Sequence, residues 1–277
     1  MDFKSATAHG QRFVFSDSGE GPVVVLIHGF PDTPMGWDKT SKALNSAGFR
    51  TIVPYLRGYH PDTIVHGRRY DGETIAQDTL RLLDAVEVDR AVLVGHDWGA
   101  AVSYRAAAAG RERVRAVCGV AIPHPAMIER SPSLLWRGRH FITLRVPSGP
   151  WLARRNDFAY LDTLMRRWAP YWSGPEREQT LADVKEAFAD PRVLEGALGY
   201  YRDASPGEGL GRLTQPGLVI GGTTDLIDVD AFTRSAEKFD GPCEVVIAEG
   251  AGHWPHREAE ALVHERLIAF LRGLPEE

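Results

Sequence analysis

The stretch from Ala91 to Ala101 is the feature of this sequence that most constrains its fold. An apolar run ends at Val94, the pentapeptide Gly-His-Asp-Trp-Gly follows at 95–99, and an alanine-rich segment comes next. This pattern predicts a buried strand, a very tight turn and the start of a helix. The two glycines are needed because a Cβ at either end of the turn would collide with the neighbouring strand or helix.

The turn at 95–99 matches a nucleophile elbow, in which one side chain stands on a strained corner at the top of a sheet. Its corner residue is Asp97, where most such turns carry serine. A carboxylate is a poor nucleophile towards amides and esters, but it can displace a leaving group at saturated carbon and form an alkyl ester. The pentapeptide alone leaves a second interpretation open, in which Asp97 is only the N-cap of the following helix.

Length and charge place the chain among ordinary globular proteins. Its 277 residues, 43% of them hydrophobic and 25% charged, are enough for one large core with an inserted subdomain. A net charge of −5 argues against nucleic acid or an anionic membrane as a partner. No segment has the length of a signal peptide or a membrane span. Cys118 and Cys243 lie in strand-like runs, which favours reduced thiols in a cytoplasmic protein and no zinc site.

Strand-like and helix-like segments alternate in both the first and the last part of the chain. The predicted strands are 23–27, 50–54, 91–95, 114–122, 217–222 and 243–248. The predicted helices are 37–47, 73–86, the segment after the elbow to about 109, 230–239 and 259–272. This alternation predicts an α/β fold with a mostly parallel, doubly wound sheet. Residues 10–18 alternate before the turn-rich 17–22, which predicts an opening hairpin.

The alternation stops at Pro123, and from there to 212 the sequence has helical but no strand-like periodicity. We therefore predict a core of residues 1–122 and 213–277 and a helical cap of residues 123–212 over the carboxyl ends of the strands, where ligands of open parallel sheets bind. The cap arginines are expected to be mostly a solvated face. Four tryptophans suggest an aromatic-lined pocket, although lid core is the safer interpretation for most of them: Trp136, Trp151, Trp168 and Trp172.

Two loops that follow the last strands carry candidate partners for Asp97. His253 follows the final strand in a glycine-containing loop, and we predict that it is the base that activates water. Asp225 follows the penultimate strand and is predicted to fix the tautomer of His253 and stabilise its charged form. His256 and Asp228 are the second choices for these two roles.

The turn at 28–31 supplies a candidate oxyanion hole. If this turn wraps back towards the elbow, the backbone N–H groups of Phe30 and Trp98 point at one spot. Two such donors would stabilise the oxyanion that forms when water attacks an ester of Asp97, and each donor is typically worth about 3–4 kcal/mol. For the side chain of His28 we expect a structural role.

Four segments together resemble the α/β-hydrolase-fold epoxide hydrolases and the related haloalkane dehalogenases. They are HGFPD at 28–32, GHDWGA at 95–100, Gly-x-x-Asp at 222–225 and GAGHWP at 250–255. The chain order of Asp97, Asp225 and His253 is also that of this fold. The resemblance implies attack by Asp97, a covalent alkyl ester and hydrolysis by water that His253 activates with Asp225 behind it. It implies no cofactor and no metal, and a small-molecule epoxide and water as partners.

The resemblance further implies an acid for the epoxide oxygen, usually a pair of cap tyrosines. Tyr201 matches the second of these, although Tyr200 could take its place, and a tyrosine packed on the apolar face of the lid is the other interpretation. His140 stands where the first cap tyrosine is expected. A few epoxide hydrolases resemble this His–Tyr arrangement, and an ordinary cap histidine is the alternative.

Two absences favour an epoxide over a halide. Dehalogenases usually carry asparagine where this chain has Phe30, and the fluoroacetate-type enzymes place arginines where it has Trp98, Ala100 and Ala101. The sequence therefore predicts an epoxide hydrolase that makes vicinal diols. A haloalkane or haloacid dehalogenase with the same triad, and a non-catalytic ligand-binding protein of this fold, remain as alternatives.

Overall fold

A computed structural model describes residues 1–65, 67, 69–129, 131–203 and 209–275. In this part of the chain eight strands form one sheet in the order β1-β2-β4-β3-β5-β6-β7-β8. The strands are β1 (Phe3–Ala8), β2 (Gln11–Ser18), β3 (Val23–Ile27), β4 (Arg50–Pro54), β5 (Ala91–His96), β6 (Val114–Val120), β7 (Gly217–Gly222) and β8 (Cys243–Ala248). Strand β2 pairs antiparallel with β1 and β4, and the other neighbouring pairs are parallel, which confirms the predicted sheet.

Helices cover both faces of the sheet. The α-helices are α1 (Asp38–Ser46), α2 (Gly72–Ala85), α3 (Trp98–Ala109), α4 (Pro132–Arg137), α5 (His140–Arg145), α6 (Gly149–Trp168), α7 (Pro175–Phe188), α8 (Pro191–Asp203), α9 (Val229–Thr233), α10 (Pro255–Glu258) and α11 (Glu260–Arg272). Successive side chains of β3 point to opposite faces. Leu26 packs in the core that α1 and α11 cover, and Ile27 packs in the core that α2 and α3 cover.

The elbow has the strained geometry that its sequence suggests. Every residue of β5 is buried, and Asp97 follows with φ 52° and ψ −119°, a backbone conformation that residues with a Cβ seldom adopt. A Cβ on Gly95 would overlap the Gly99 carbonyl, and a Cβ on Gly99 would overlap the Ile27 carbonyl. The glycines therefore let α3 start directly against β3 and β5.

A hairpin opens the sheet, but its turn is not the one that the sequence indicated. The turn is His9-Gly10, and both residues have positive φ, as a two-residue hairpin turn that matches the twist of the strands requires. Residues 17–22 instead lead from the end of β2 to β3, which lies beyond β4 in the sheet. The prediction missed the turn because His-Gly is a weaker hairpin signal than Asn-Gly or Asp-Gly, and residues 17–22 are richer in turn residues.

Between β6 and β7 the described residues form the helices α4 to α8 and no strand. Helix α6 is kinked where Asn156, Asp157 and Phe158 take left-handed backbone angles. Helix α8 approaches the loop after β4, where Gly196 lies against Gly58. The division into a core and a cap at residues 122/123 and 212/213 stays a prediction. None of the described helices is long and apolar enough to cross a membrane.

Candidate active site

Asp97 lies at the carboxyl end of β5, where the sheet meets the helices between β6 and β7. Its side chain makes no capping hydrogen bond to α3, so the interpretation of Asp97 as an N-cap does not hold. The backbone N–H of Phe30 instead donates to Oδ1 of Asp97 at 2.8 Å. The carboxylate therefore points away from the helix and towards the 28–31 turn.

The imidazole of His253 lies between two carboxylates. Its Nε2 is 3.3 Å from Oδ2 of Asp97, and its Nδ1 is 3.0 and 3.1 Å from the two carboxylate oxygens of Asp225. A proton on Nδ1 that is held by Asp225 leaves Nε2 to face Asp97. His253 is only 1% exposed, and the side chain of Asp225 is fully buried. The structure thus brings the three predicted residues together in one chain of contacts.

The second choices for these roles lie elsewhere. Asp228 is exposed and forms an ion pair with Arg137 of α4, with both carboxylate oxygens 2.7 Å from the guanidinium. His256 is buried, stacks on Trp37 with ring centroids 4.4 Å apart, and contacts His96 at 4.7 Å. Asp225, not Asp228, therefore lies beside Nδ1 of His253, and His253, not His256, lies beside Asp97.

The loop that carries His253 is held on both sides by a residue that the sequence analysis missed. The carboxylate of Glu258 accepts hydrogen bonds from the backbone N–H groups of Gly252 at 2.8 Å and Trp254 at 2.9 Å. The N–H of His253 itself donates to the Trp168 carbonyl at the end of α6. An acidic residue in the first turn of α10 was the available signal for this role, because helix starts favour negative charge.

The charges of the triad are coupled. Burial alone would lower the pKa of His253, but the charge and hydrogen bond of Asp225, together with the Asp97 carboxylate, raise it to about 10. Burial would raise the pKa of Asp97, yet His253 lowers it below its usual value. In the free protein near neutral pH, Asp97 is therefore a carboxylate beside an imidazolium.

The oxyanion hole formed by two backbone N–H groups stays a prediction. That of Phe30 donates to Oδ1 of Asp97. That of Trp98 is in the first turn of α3, where N–H groups have no partner within the helix and carry partial positive charge. The His28 side chain bridges Gly29 O and Leu56 N, which is the structural role that we expected for it.

Aromatic rings from α5 and α8 lie over the elbow. The Tyr201 ring lies 5.2 Å from Trp98 and 5.1 Å from Phe30, measured between centroids. Phe141 lies 5.1 Å from Tyr201, and His140 lies 5.8 Å from it. Burial raises the pKa of Tyr201 well above its usual value, so its hydroxyl stays protonated.

His140 and Tyr200 have different environments. Burial lowers the pKa of His140 to about 3, and its Nδ1 is buried with no hydrogen-bond partner among the described residues. The hydroxyl of Tyr200 donates to the Arg57 carbonyl at 3.0 Å and so fastens α8 to the loop after β4. Because this hydroxyl is already bonded to the backbone, Tyr201 is the better placed of the two tyrosines to meet a substrate.

Only two of the four cap tryptophans are buried, as a place in either an aromatic pocket or the lid core requires. Trp168 is buried and lies 5.1 Å from His253, and Trp172 is buried against Trp254. Trp136 and Trp151 are 69% and 62% exposed, so a place in the pocket or the lid core is wrong for both.

One group among the described residues has the composition of a metal site. Asp32, His96 and His256 are buried and offer ligand atoms within 4.8 Å of one another. Asp32 already accepts hydrogen bonds from the Trp254 indole and the Thr33 N–H, and His96 bonds to the His253 carbonyl. The group thus supports the loop that carries His253.

Comparisons with known proteins agree with the fold. A family model of the alpha/beta hydrolase fold matches residues 22–260. An epoxide hydrolase from Caballeronia sordidicola is 30% identical over 93% of this chain and 89% of that protein. Epoxide hydrolase A from Mycobacterium tuberculosis is 30% identical over 96% of both chains. The crystal structure of epoxide hydrolase A from Mycobacterium thermoresistibile has a TM-score of 0.79 at 27% identity and covers 100% of this chain and 99% of its own. The chain therefore belongs to the α/β-hydrolase-fold family of epoxide hydrolases and is a hydrolase.

Proposed function

We propose that the protein hydrolyses epoxides to vicinal diols through a covalent ester on Asp97. The observation that carries the proposal is the placement of this carboxylate, with the Phe30 N–H on one oxygen and the His253 imidazole beside the other. The relatives described as epoxide hydrolases support the substrate class. Tyr201 above the elbow supports ring opening, since a leaving alkoxide needs an acid.

In the first step, an oxygen of Asp97 attacks one carbon of the epoxide and the bond from that carbon to the epoxide oxygen breaks. The departing alkoxide takes the proton of the Tyr201 hydroxyl. His140 is the second donor in this proposal. It acts as a neutral imidazole, because its lowered pKa keeps it uncharged near neutral pH.

Formation of the ester turns His253 into a base. The ester has no negative charge, so Asp97 no longer raises the pKa of His253, and this pKa falls. The proton that His253 then loses restores the Tyr201 hydroxyl. Asp225 keeps the ring oriented throughout, with Nε2 facing the ester.

In the second step, Nε2 of His253 takes a proton from a water molecule, and the resulting hydroxide attacks the ester carbonyl. The N–H groups of Phe30 and Trp98 stabilise the oxyanion, typically by about 3–4 kcal/mol for each donor. Collapse of this intermediate releases the diol and returns Asp97 as a carboxylate beside an imidazolium. The second oxygen of the diol comes from Asp97, and the oxygen of water enters the carboxylate.

The test is a product assay with a trapping variant. We expect the purified protein to convert styrene oxide to its diol and to release no halide from a panel of haloalkanes and haloacids. His253→Gln should accumulate a protein adduct whose mass exceeds that of the free protein by one epoxide, whereas Asp97→Asn should form none. Halide release without diol formation would assign the site to the dehalogenase alternative, and no turnover of either class would favour the binding protein.

A further inference from the structure

The exposed apolar side chains of this protein are concentrated in one short segment. Among the described residues seven large hydrophobic side chains are exposed, and six of them lie between residues 135 and 151. They are Leu135, Trp136, Phe141, Ile142, Val146 and Trp151. Single exposed apolar residues are normal on a protein surface, whereas exposed apolar side chains that are concentrated in one region mark an interaction site.

The same segment is strongly basic. Residues 131–156, which we term the 131–156 face, contain five arginines and no Asp, Glu or Lys, in a chain whose net charge is −5. The arginines are Arg137, Arg139, Arg145, Arg154 and Arg155. Asp228 from outside the segment pairs with the first of them, and the other four form no ion pair with the described residues. The face therefore carries most of its positive charge unneutralised.

Two of the arginines stack on the exposed tryptophans. The guanidinium of Arg139 lies 4.4 Å from the centroid of Trp136, and that of Arg155 lies 5.1 Å from the centroid of Trp151. Apolar bodies with basic heads beside them are the composition of segments that lie in the interface of a lipid bilayer. Each basic residue near an anionic membrane adds to the attraction.

An apolar face can be covered by a second copy of the protein or by a lipid bilayer, and the charge of the 131–156 face distinguishes between them. A symmetric contact with a second copy would bring the same patch onto itself and set unpaired arginines against unpaired arginines. An anionic bilayer instead complements the charge and takes up the apolar side chains. The net charge of the whole chain is not decisive, because screening confines the field of distant charges to about 10 Å at ordinary ionic strength.

We propose that the 131–156 face binds the surface of anionic lipid membranes. Binding does not depend on the reaction at Asp97. The face does begin at the proposed active site, since Phe141 contacts both Trp98 and Tyr201 and the next residue, Ile142, is 71% exposed. If the proposed function holds, apolar epoxides dissolved in the bilayer are the substrates that this surface would favour.

The experiment is sedimentation of the full-length protein with vesicles of phosphatidylcholine alone or of phosphatidylcholine mixed with phosphatidylglycerol. We expect binding to the mixed vesicles only, and its loss near 1 M salt, where the screening length is about 3 Å. The variant with both Trp136→Ser and Ile142→Ser should need at least roughly tenfold more lipid for half-maximal binding. Tyr171→Ser is the matched control, because Tyr171 is 74% exposed but lies outside the face.

Each other outcome overturns the proposal. The proposal is wrong if wild-type protein stays in the supernatant with the mixed vesicles. It is also wrong if the double variant binds these vesicles as well as wild type. Equal binding to phosphatidylcholine alone removes the argument from charge. A dimer that the double variant dissociates, without vesicle binding, would assign the face to a second copy. Thermal unfolding of the double variant close to that of wild type shows that it is folded, and because this control needs no turnover, the test stays separate from that of the proposed reaction.

Discussion

Two neighbouring tyrosines of α8 show how single hydroxyl groups differ in what they can do. Tyr200 and Tyr201 are both buried, and burial raises the pKa of both. The Tyr200 hydroxyl donates to the Arg57 carbonyl in the loop after β4, while the Tyr201 ring lies against Trp98 at the elbow. A protonated phenol is an acid for the reaction only if it can reach the departing oxygen.

We expect the matched pair Tyr201→Phe and Tyr200→Phe to separate acid catalysis from attachment of α8. Tyr201→Phe should slow ester formation by about 10²- to 10⁴-fold, the usual contribution of a general acid. Tyr200→Phe should leave that rate close to wild type and reduce the free energy of unfolding by about 0.5–1.5 kcal/mol, the net value of one hydrogen bond. Quenched-flow mass spectrometry of the adduct and denaturant unfolding measure the two quantities. Equal slowing by both variants would contradict the assignment of Tyr201.

The coupling between Asp97 and His253 predicts a pH dependence with a definite sign. Ester formation needs the Asp97 carboxylate, which is ionised across the neutral range because His253 lowers its pKa. Ester hydrolysis needs neutral His253, and lower pH favours the imidazolium. We therefore expect the fraction of enzyme present as ester during turnover to be larger at pH 6 than at pH 9. Intact-mass measurement after acid quench reports this fraction, and a fraction that rises with pH would be inconsistent with a histidine base.

At the scale of the element, the strand β5, the turn and α3 form a unit that fixes the nucleophile. Gly95 and Gly99 permit a close approach of α3 to β5 and β3, and this approach holds Asp97 at its positive φ. The unit is local in sequence, and each of its parts has a recognisable signal. For this reason the sequence predicted the elbow, and with it the place of Asp97 at the end of a strand, within one residue.

We expect Gly95→Ala to damage both stability and activity. The added Cβ would overlap the Gly99 carbonyl, so α3 must shift, and overpacking of this kind costs about 1–3 kcal/mol. A displacement of about 1 Å at the nucleophile is enough to lower turnover about 10²-fold. Gly211→Ala is the control, because no atom of the described residues lies within 4 Å of the added Cβ there. Thermal unfolding and styrene oxide turnover test both variants, and a Gly95→Ala protein that matches the control would contradict this account of the turn.

The other elements were predictable to the extent that their signals are local. Apolar runs gave the bounds of β3 and β7, since strands buried on both faces need no alternation. The predicted bounds of β4 and β8 also match the structure, although β8 is an edge strand with partly exposed positions. The opening hairpin was misplaced because its turn is His9-Gly10, a weaker signal than the Asn-Gly or Asp-Gly pairs typical of such turns. The sequence predicted that residues 123–212 are helical, but periodicity did not define the bounds of α4 to α8 or the kink in α6.

At the scale of the whole molecule, contacts between distant segments were beyond the sequence. The indole of Trp254 bonds to Asp32, and these residues are 222 positions apart. The exposure of Trp136 and Trp151 was likewise unpredictable, because a tryptophan at helical spacing has the same pattern whether it faces core or solvent. By contrast, the meeting of Asp97, Asp225 and His253 followed from one rule, that the carboxyl ends of parallel strands share an edge.

The most direct test of the central claim, a covalent bond between Asp97 and carbon, is a single turnover in water enriched in ¹⁸O. With enzyme in excess over epoxide, water attacks the ester carbonyl, so the label enters the Asp97 carboxylate and the first diol leaves unlabelled. Peptide mass spectrometry locates the label, and we expect it on the peptide that contains Asp97. A labelled diol with an unlabelled Asp97 would mean that water attacks the epoxide directly and that no ester forms on Asp97.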